Sequence, residues 1–335
     1  MEMHLERQDL DMLSNEMNKK KTILVSGASG IVGYGILRSL RKSGYRLIGT
    51  TIYENSPADC FSDIVQKAPL TVDEAYLPWL LETIKKYDIN MIIPAIEADM
   101  SCWNQNRECL EQTGVKVLLN NPELIELCLD KWKFYEKLKK YKPQYAIDTS
   151  LSIDGQSFPL LLKPRCGFGS KGIVRVHSES ECEPFLTDIG EKLMVQQIVG
   201  TDDEEYTVSA FFDDNSQLCA SIEMKRKLSK QGFTEIASVI EDKNINAILH
   251  ELAVIFRPVG PTNFQFRKHQ GEWKLLEINP RISSATSIRT AFGYNESQMC
   301  IDYFMDHKKI IQPLIKTGKA IRYMEDFIIY DSDNF

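Results

Sequence analysis

Apolar positions along this chain follow two different rhythms. In the first third, short unbroken apolar runs alternate with longer amphipathic stretches. Thr22-Ile23-Leu24-Val25-Ser26 reads as a buried strand, followed by Gly27-Ala28-Ser29-Gly30-Ile31-Val32-Gly33 and a helix through Leu40. Tyr45–Thr51 repeats the strand pattern, and a helix follows in the eighties. Met91–Ala95 is a further strand, Glu97 and Asp99 open another helix, and Gly114–Leu119 reads as the next strand. Strands and helices alternating over short connections imply a mostly parallel sheet with helices on both faces. Asn120-Asn121-Pro122 is the natural boundary.

Beyond that boundary the strands lengthen. A helical segment runs from Asp130-Lys131 through Leu138, and Lys142-Pro143 leads into a loop. Leu160–Leu162 reads as a short buried strand ending at Lys163, Ile173–Val176 as a second, and Ser178–Ile189 as a helix. Glu205–Phe212, Leu218–Glu223 and the segments around Phe264 and Leu276 predict a larger antiparallel sheet. No internal repeat or low-complexity stretch is visible.

Composition narrows the function classes. The chain has 335 residues, 43% hydrophobic and 26% charged, which is ordinary for a globular protein with room for two or three subdomains. A net charge of −7 argues against a nucleic-acid partner. No apolar run is long enough to span a membrane and the N-terminus lacks a signal-peptide core, so the expected location is cytoplasmic, with no membrane partner. The eight cysteines form no Cys-x-x-Cys pair, and the five histidines lie far apart. Neither a zinc site nor a disulfide framework is suggested. Residues 1–20 read as a tail, with Met17 before Asn18-Lys19-Lys20-Lys21 resembling a natural translation start.

The chemistry concentrates in three places. In Asn263-Phe264-Gln265-Phe266 and Leu275-Leu276-Glu277-Ile278-Asn279-Pro280-Arg281, strand alternation puts Glu277 and Asn279 on one face. If the two strands pair, Gln265, Glu277 and Asn279 bring three oxygens to one small volume. Such a set suits Mg²⁺ sharing its shell with nucleotide phosphates, and Arg281 beside it suits a transferring anion. Upstream, Lys163-Pro164 precedes Arg165-Cys166-Gly167-Phe168-Gly169-Ser170-Lys171-Gly172. A glycine loop between two strands offers backbone N–H groups to phosphate oxygens, although it is not a Walker A loop. Cys166 in that loop reads as a small packing residue rather than a catalytic thiol. The third place is Gly27–Gly33, a dinucleotide-type fingerprint, which on its own would suggest a nicotinamide enzyme. The next strand lacks a clean ribose-binding acid after it, because Glu54 sits in a turn with Asn55 and Pro57.

In this order the parts resemble the ATP-grasp superfamily, most closely a single copy of the ATP-binding half of a carbamoyl-phosphate-synthase large chain. The resemblance covers about residues 21–310. It implies a Rossmann-like pre-ATP-grasp domain (21–121) that helps to build the substrate site. An ATP-grasp domain (122–315) follows, whose two α+β subdomains clasp ATP, with a lid at about 144–199, and then a C-terminal segment (316–335). It further implies that Lys131 and Lys163 bind the nucleotide, with the loop residues Gly167, Gly169, Ser170 and Gly172 closing over the phosphates. Gln196 (carbonyl) and Ile198 (amide) would meet the adenine edge, and Glu205 the ribose. Gln265, Glu277 and Asn279 fall on the positions that hold Mg²⁺ (or Mn²⁺), and Arg281 on the arginine that steadies the transferring phosphoryl group. Lys163 and Arg281 are thus the catalytic candidates.

Two departures stand out. Gln265 occupies a place where many relatives carry an acid, so Glu277 alone supplies formal negative charge to the metals. Thr201-Asp202-Asp203-Glu204 precedes Glu205, which leaves Glu204 as a second ribose candidate. By the same resemblance Lys225 or Arg226 would hold a substrate acid group, the alternative being a solvated basic run over Glu223–Lys227, with Ser283, Ser284 and Arg289 near the acceptor pocket. The implied activity is an ATP-dependent carboxylate–amine ligase that works through an acyl phosphate on small-molecule substrates, with a homodimer as one assembly. Two other readings stand beside it: an NAD(P)-dependent oxidoreductase using Gly27–Gly33, and a catalytically silent nucleotide-binding protein.

Overall fold

The computed structural model describes residues 20–167 and 171–328. Among them, three sheets hold fifteen strands. The tail at 1–19 and the loop residues Gly169 and Ser170 lie outside the described residues.

The first sheet comprises β1 (Thr22–Val25), β2 (Arg46–Thr51), β3 (Ile64–Lys67), β4 (Ile89–Ile93) and β5 (Lys116–Val117), in the order β3-β2-β1-β4-β5. All of its pairings are parallel. The apolar runs are unbroken because both faces are covered. Ile23 and Val25 enter one buried cluster and Leu24 another, and Met91 and Ile93 divide from Ile92 in the same way. The chain winds one way from β1 to β3 and then returns to the other side of β1 with β4. A crevice therefore opens beyond the carboxyl ends of β1 and β4, the usual place for ligands in such sheets. The Gly27–Gly33 turn and Ile96-Glu97 flank it. The two loops approach so closely that a Cβ on Gly27, which has φ +56°, would lie 2.7 Å from the Ile96 side chain.

The small sheet, ordered β6-β9-β7-β8, is built from β6 (Thr149–Ser150), β7 (Leu160–Pro164), β8 (Val174–Val176) and β9 (Leu193–Gln197). The helix expected over Ser178–Ile189 is reduced to a single tight 3₁₀ stretch, Ser180–Phe185. Pro184 lies inside that stretch and cannot donate to a helical ladder. The expected strand over Gly114–Leu119 is likewise shortened to two residues.

The large sheet has β10 (Glu205–Phe212), β11 (Leu218–Leu228), β12 (Thr234–Ile240), β13 (Gly260–His269), β14 (Glu272–Asn279) and β15 (Lys319–Ile321). Its order is β14-β13-β10-β11-β12-β15, antiparallel throughout. β11 runs past Glu223, where the sequence reading stops it. Its alternation continues through Met224 and Arg226, both buried, with the more exposed Lys225 and Lys227 between and after them. β3, β12, β15 and the helix Ile245–Phe256 also go unread in the sequence.

One buried cluster joins the first sheet to the large one, with Ile23, Val25 and Met91 in the same core as Phe211, Met224 and Ile282. Asn120 tethers the same junction. Its amide donates to the Thr262 hydroxyl at 2.8 Å, and its oxygen accepts from the Val259 N–H at 2.9 Å. Asn120→Ala would strand buried partners and is expected to lower stability by about 1–3 kcal/mol in urea unfolding. A change below about 0.5 kcal/mol, the scale of a surface substitution, would remove Asn120 as a junction residue.

Candidate active site between the sheets

Strand alternation sorts the core from the cavity. On β7, Leu160 and Leu162 enter the small-sheet core, whereas Leu161 and Lys163 line a cleft between the small and large sheets. On β13, Phe264 and Phe266 are core and Gln265 and Arg267 line the cleft. Gln265 lies directly opposite Glu277 on β14, so both face the same space. Lys131 reaches it from the start of the helix Lys131–Tyr141, whose first N–H groups are capped by Asp130. The Lys131 ammonium donates to the Gly167 carbonyl and its backbone N–H to the Arg165 carbonyl, tying the root of the glycine loop to the helix. Gly167 has φ +112°, a conformation that favours glycine. The far end of the cleft is apolar, with Ile147, Leu161, Ile173, Ile198 and Val199, and is bordered by Gln196.

A second cavity opens toward the first sheet. It is lined by Gly30 and Ile31 at the start of the helix Ile31–Leu40, by Ile96 and Glu97, and by Arg226, Phe233, Asn279, Arg281, Ser283 and Ser284. The two cavities share Lys131, Gly167, Leu228, Gln265 and Glu277. Two compartments thus meet at one carboxylate.

The electrostatics follow from burial. Burial pushes the Lys163 ammonium down from 10.5 to about 8, against the pull of Glu277 and aided by Lys131 and Arg267. Burial alone would raise the Glu277 carboxyl. Lys163, the Asn279 amide, Lys131 and Arg226 nevertheless hold it below its ordinary value. The Asn279 amide nitrogen donates to Glu277 Oε1 at 3.0 Å, which leaves the Asn279 amide oxygen and Glu277 Oε2 as acceptors. An anion binding at Lys163 would hold its proton on. Nucleotide affinity is therefore expected to weaken as pH rises above about 8, by up to about tenfold per unit. Titration with a fluorescent ATP analogue from pH 7 to about 9 checks this, and a constant affinity would remove Lys163 from the phosphate site.

Several sequence expectations look different in three dimensions. Both oxygens of Glu205 are taken, Oε1 by Arg226 at 2.8 Å and Oε2 by Arg267 at 2.9 Å. Glu204 accepts from the Tyr206 hydroxyl at 2.7 Å and from Lys225 at 3.0 Å. The Gln265 oxygen accepts from Arg226 Nη2 at 2.6 Å. Of the three predicted metal ligands, Glu277 and Asn279 keep an oxygen outside these side-chain hydrogen bonds, and a carboxylate with an amide oxygen suits Mg²⁺. Arg281 spans to the first domain, donating to Glu97 at 3.3 Å and to the Ile282 carbonyl at 3.0 Å, while its Nε is buried without a partner. Arg289, expected near the acceptor pocket, is wholly enclosed instead. It bonds Glu296 at 3.0 Å, the Ser283 hydroxyl at 2.8 Å and the Thr207 hydroxyl at 2.8 Å, so it braces the floor of the site. Lys225 pairs with Glu204, away from the buried face that carries Arg226.

The sequence reading passes over Arg267 and Glu97. Arg267 was within reach, since it lies two residues from Gln265 on the same strand face. Glu97 was not, because its partner Arg281 is 184 residues away. The nicotinamide reading of Gly27–Gly33 gains no support: Glu54 is exposed and pairs with Lys67 at 2.7 Å. The Ser29 hydroxyl is instead engaged with Thr51 at 2.6 Å and Ser56 at 2.7 Å.

Comparisons with known proteins bear on the fold and on the sequence. A family model described as "ATP-grasp in the biosynthetic pathway with Ter operon" matches residues 190–327, and a PylC-like N-terminal domain matches residues 23–118. The carbamoyl phosphate synthase large chain of Campylobacter jejuni is 26% identical over 317 residues, which cover 82% of this chain and 28% of that protein. The chain thus spans under a third of that relative's length. Among solved structures, N5-carboxyaminoimidazole synthetase from Staphylococcus aureus complexed with ADP superposes with a TM-score of 0.69 at 16% identity, covering 89% of this chain and 81% of that one. The biotin carboxylase domain of the Hydrogenobacter thermophilus 2-oxoglutarate carboxylase, a domain dimer with MgADP, ADP and bicarbonate, gives 0.70 at 15% identity, covering 89% and 73%.

Proposed function

We propose that this chain is an ATP-grasp protein, similar to the models matched at residues 190–327 and 23–118, and that it activates a small-molecule carboxylate with ATP and joins it to an amine. A carboxylate oxygen attacks the γ-phosphorus and the bond to ADP breaks, giving an acyl phosphate. The amine then attacks the acyl carbon, phosphate leaves, and the amine's proton departs with it.

The observation that carries this reading is the meeting of two cavities at Glu277, one lined by Lys131, Lys163 and Arg267 and the other by Lys131, Arg226 and Arg281. The adenine lies in the apolar end of the first cleft, against the Gln196 carbonyl and the Ile198 amide. Lys131 and Lys163 take the phosphates, with Gly167 lining both cavities beside them. Arg281 steadies the transferring group from the second cavity, with Arg226 near the carboxylate. Mg²⁺ bound at Glu277 and Asn279 would neutralise phosphate charge. The MgADP and bicarbonate reported with the biotin carboxylase neighbour support this choice of ion and of an acid substrate. Glu205 shapes the ribose end through Arg226 and Arg267.

In the same reading, residues 21–121, 122–315 and 316–335 form the pre-ATP-grasp domain, the ATP-grasp domain and a terminal segment. A cytoplasmic location belongs to the same reading. A homodimer is supported by the dimeric biotin carboxylase neighbour. The test is ADP release from the purified chain with Mg²⁺-ATP, a panel of carboxylates and pooled amines. Release that needs both a carboxylate and an amine is the expected result. ADP production indifferent to every carboxylate would overturn the reading.

A further inference from the structure

Arg226 is the least expected group in the site. It is only 6% exposed, yet it lies beside the residues proposed to hold the metal. Its guanidinium is pinned, with Nε and Nη2 donating to Glu205 Oε1 at 3.2 and 2.8 Å and Nη2 also donating to Gln265 Oε1 at 2.6 Å. Glu205 is shared with Arg267, so two arginines face one carboxylate. Gln265 is opposite Glu277 and carries no charge of its own. A divalent ion on the Gln265 side would have to share a neutral amide oxygen with a buried cation. An ion on the Glu277 side meets a carboxylate and a second amide oxygen instead.

We infer that Arg226 takes the place of one metal ion, so that the site holds a single nucleotide-dependent divalent cation on Glu277 and Asn279. The guanidinium then supplies positive charge on the Gln265 side. Arg226 lines the cavity that also holds Arg281, which places this fixed charge where the carboxylate approaches the phosphate. Unlike a bound ion, it is present before the nucleotide arrives and does not depend on metal concentration. The inference rests on the ATP reading above but differs from it in what it forbids.

Mn²⁺ counting separates the two. The wild-type chain is mixed with a non-hydrolysable ATP analogue, and free Mn²⁺ is measured by electron paramagnetic resonance. One Mn²⁺ per bound nucleotide is expected, and two would overturn the inference while leaving the ATP reading intact. A folded wild-type chain that binds neither nucleotide nor Mn²⁺ would sink both. Gln265→Glu is expected to remain at one ion, because Arg226 captures the new carboxylate. Gln265→Glu combined with Arg226→Met is expected to reach two. If that double variant binds nucleotide with one ion only, Arg226 is not what excludes the second. If it fails to fold, as circular dichroism would reveal, the wild-type count still decides.

Discussion

Lys163→Met is expected to yield a chain that is more stable than the wild type and much slower. The lysine is buried and its pKa falls from 10.5 to about 8, so the folded chain holds a charge it would rather shed. At neutral pH that depression corresponds to lost stability on the order of 3 kcal/mol. Between about 8 and 10.5 the unfolded chain binds more protons than the folded one, so this contribution makes wild-type stability rise with pH across the window. Methionine has a similar length and no charge, and removes the whole effect. The variant should therefore exceed the wild type by up to about 3 kcal/mol near pH 7, with the gap closing as pH approaches 10.5. The catalytic cost runs the other way. Losing one charge-assisted contact of about 1.5–3 kcal/mol slows the reaction by roughly ten-fold to a few hundred-fold. Urea denaturation at several pH values and ADP-release kinetics measure the two halves. A destabilised variant at full rate would refute both.

Glu277→Gln is expected to have the largest effect on turnover. Glu277 faces both cavities and is surrounded by Lys163, Lys131 and Arg226. With Gln265 opposite it, it is the only acid of the proposed metal set. The isosteric amide keeps the shape and can still meet the Asn279 amide, so far-ultraviolet circular dichroism should be unchanged. Removing one preorganised electrostatic group typically costs on the order of 10²–10³ in rate. Metal-dependent ADP release should fall at least that far. A second consequence follows at Lys163, which loses the main charge opposing its deprotonation. The pH at which nucleotide affinity weakens should then move below about 8, provided binding is still measurable. Undiminished metal-dependent turnover would count against Glu277 as a metal ligand.

Much of the fold is legible in the chain because burial imposes periodicity. The apolar runs in Thr22–Ser26 and Met91–Ala95 announce buried strands, and β1 and β4 lie side by side within a parallel sheet. The misreadings are short or interrupted elements. Lys319–Ile321 is only three residues long, and its partner Thr234–Ile240 lies far upstream in the chain. Ser180–Phe185 carries a helical composition that Pro184 overrides.

For the site, local alternation was enough to put Glu277 and Asn279 on one face and Lys163 at the end of a buried strand. It determined which side chains point away from the core, since the pleat reverses direction at every residue. What those side chains meet was decided by the tertiary structure alone. Arg226 reaches Gln265 across 39 residues of chain, and Arg281 reaches Glu97 across 184. No repeat in the sequence encodes such contacts, because they depend on the order in which the strands are laid beside one another. The sequence thus named the charges of the site, and the packing of three sheets decided which of them are already spoken for.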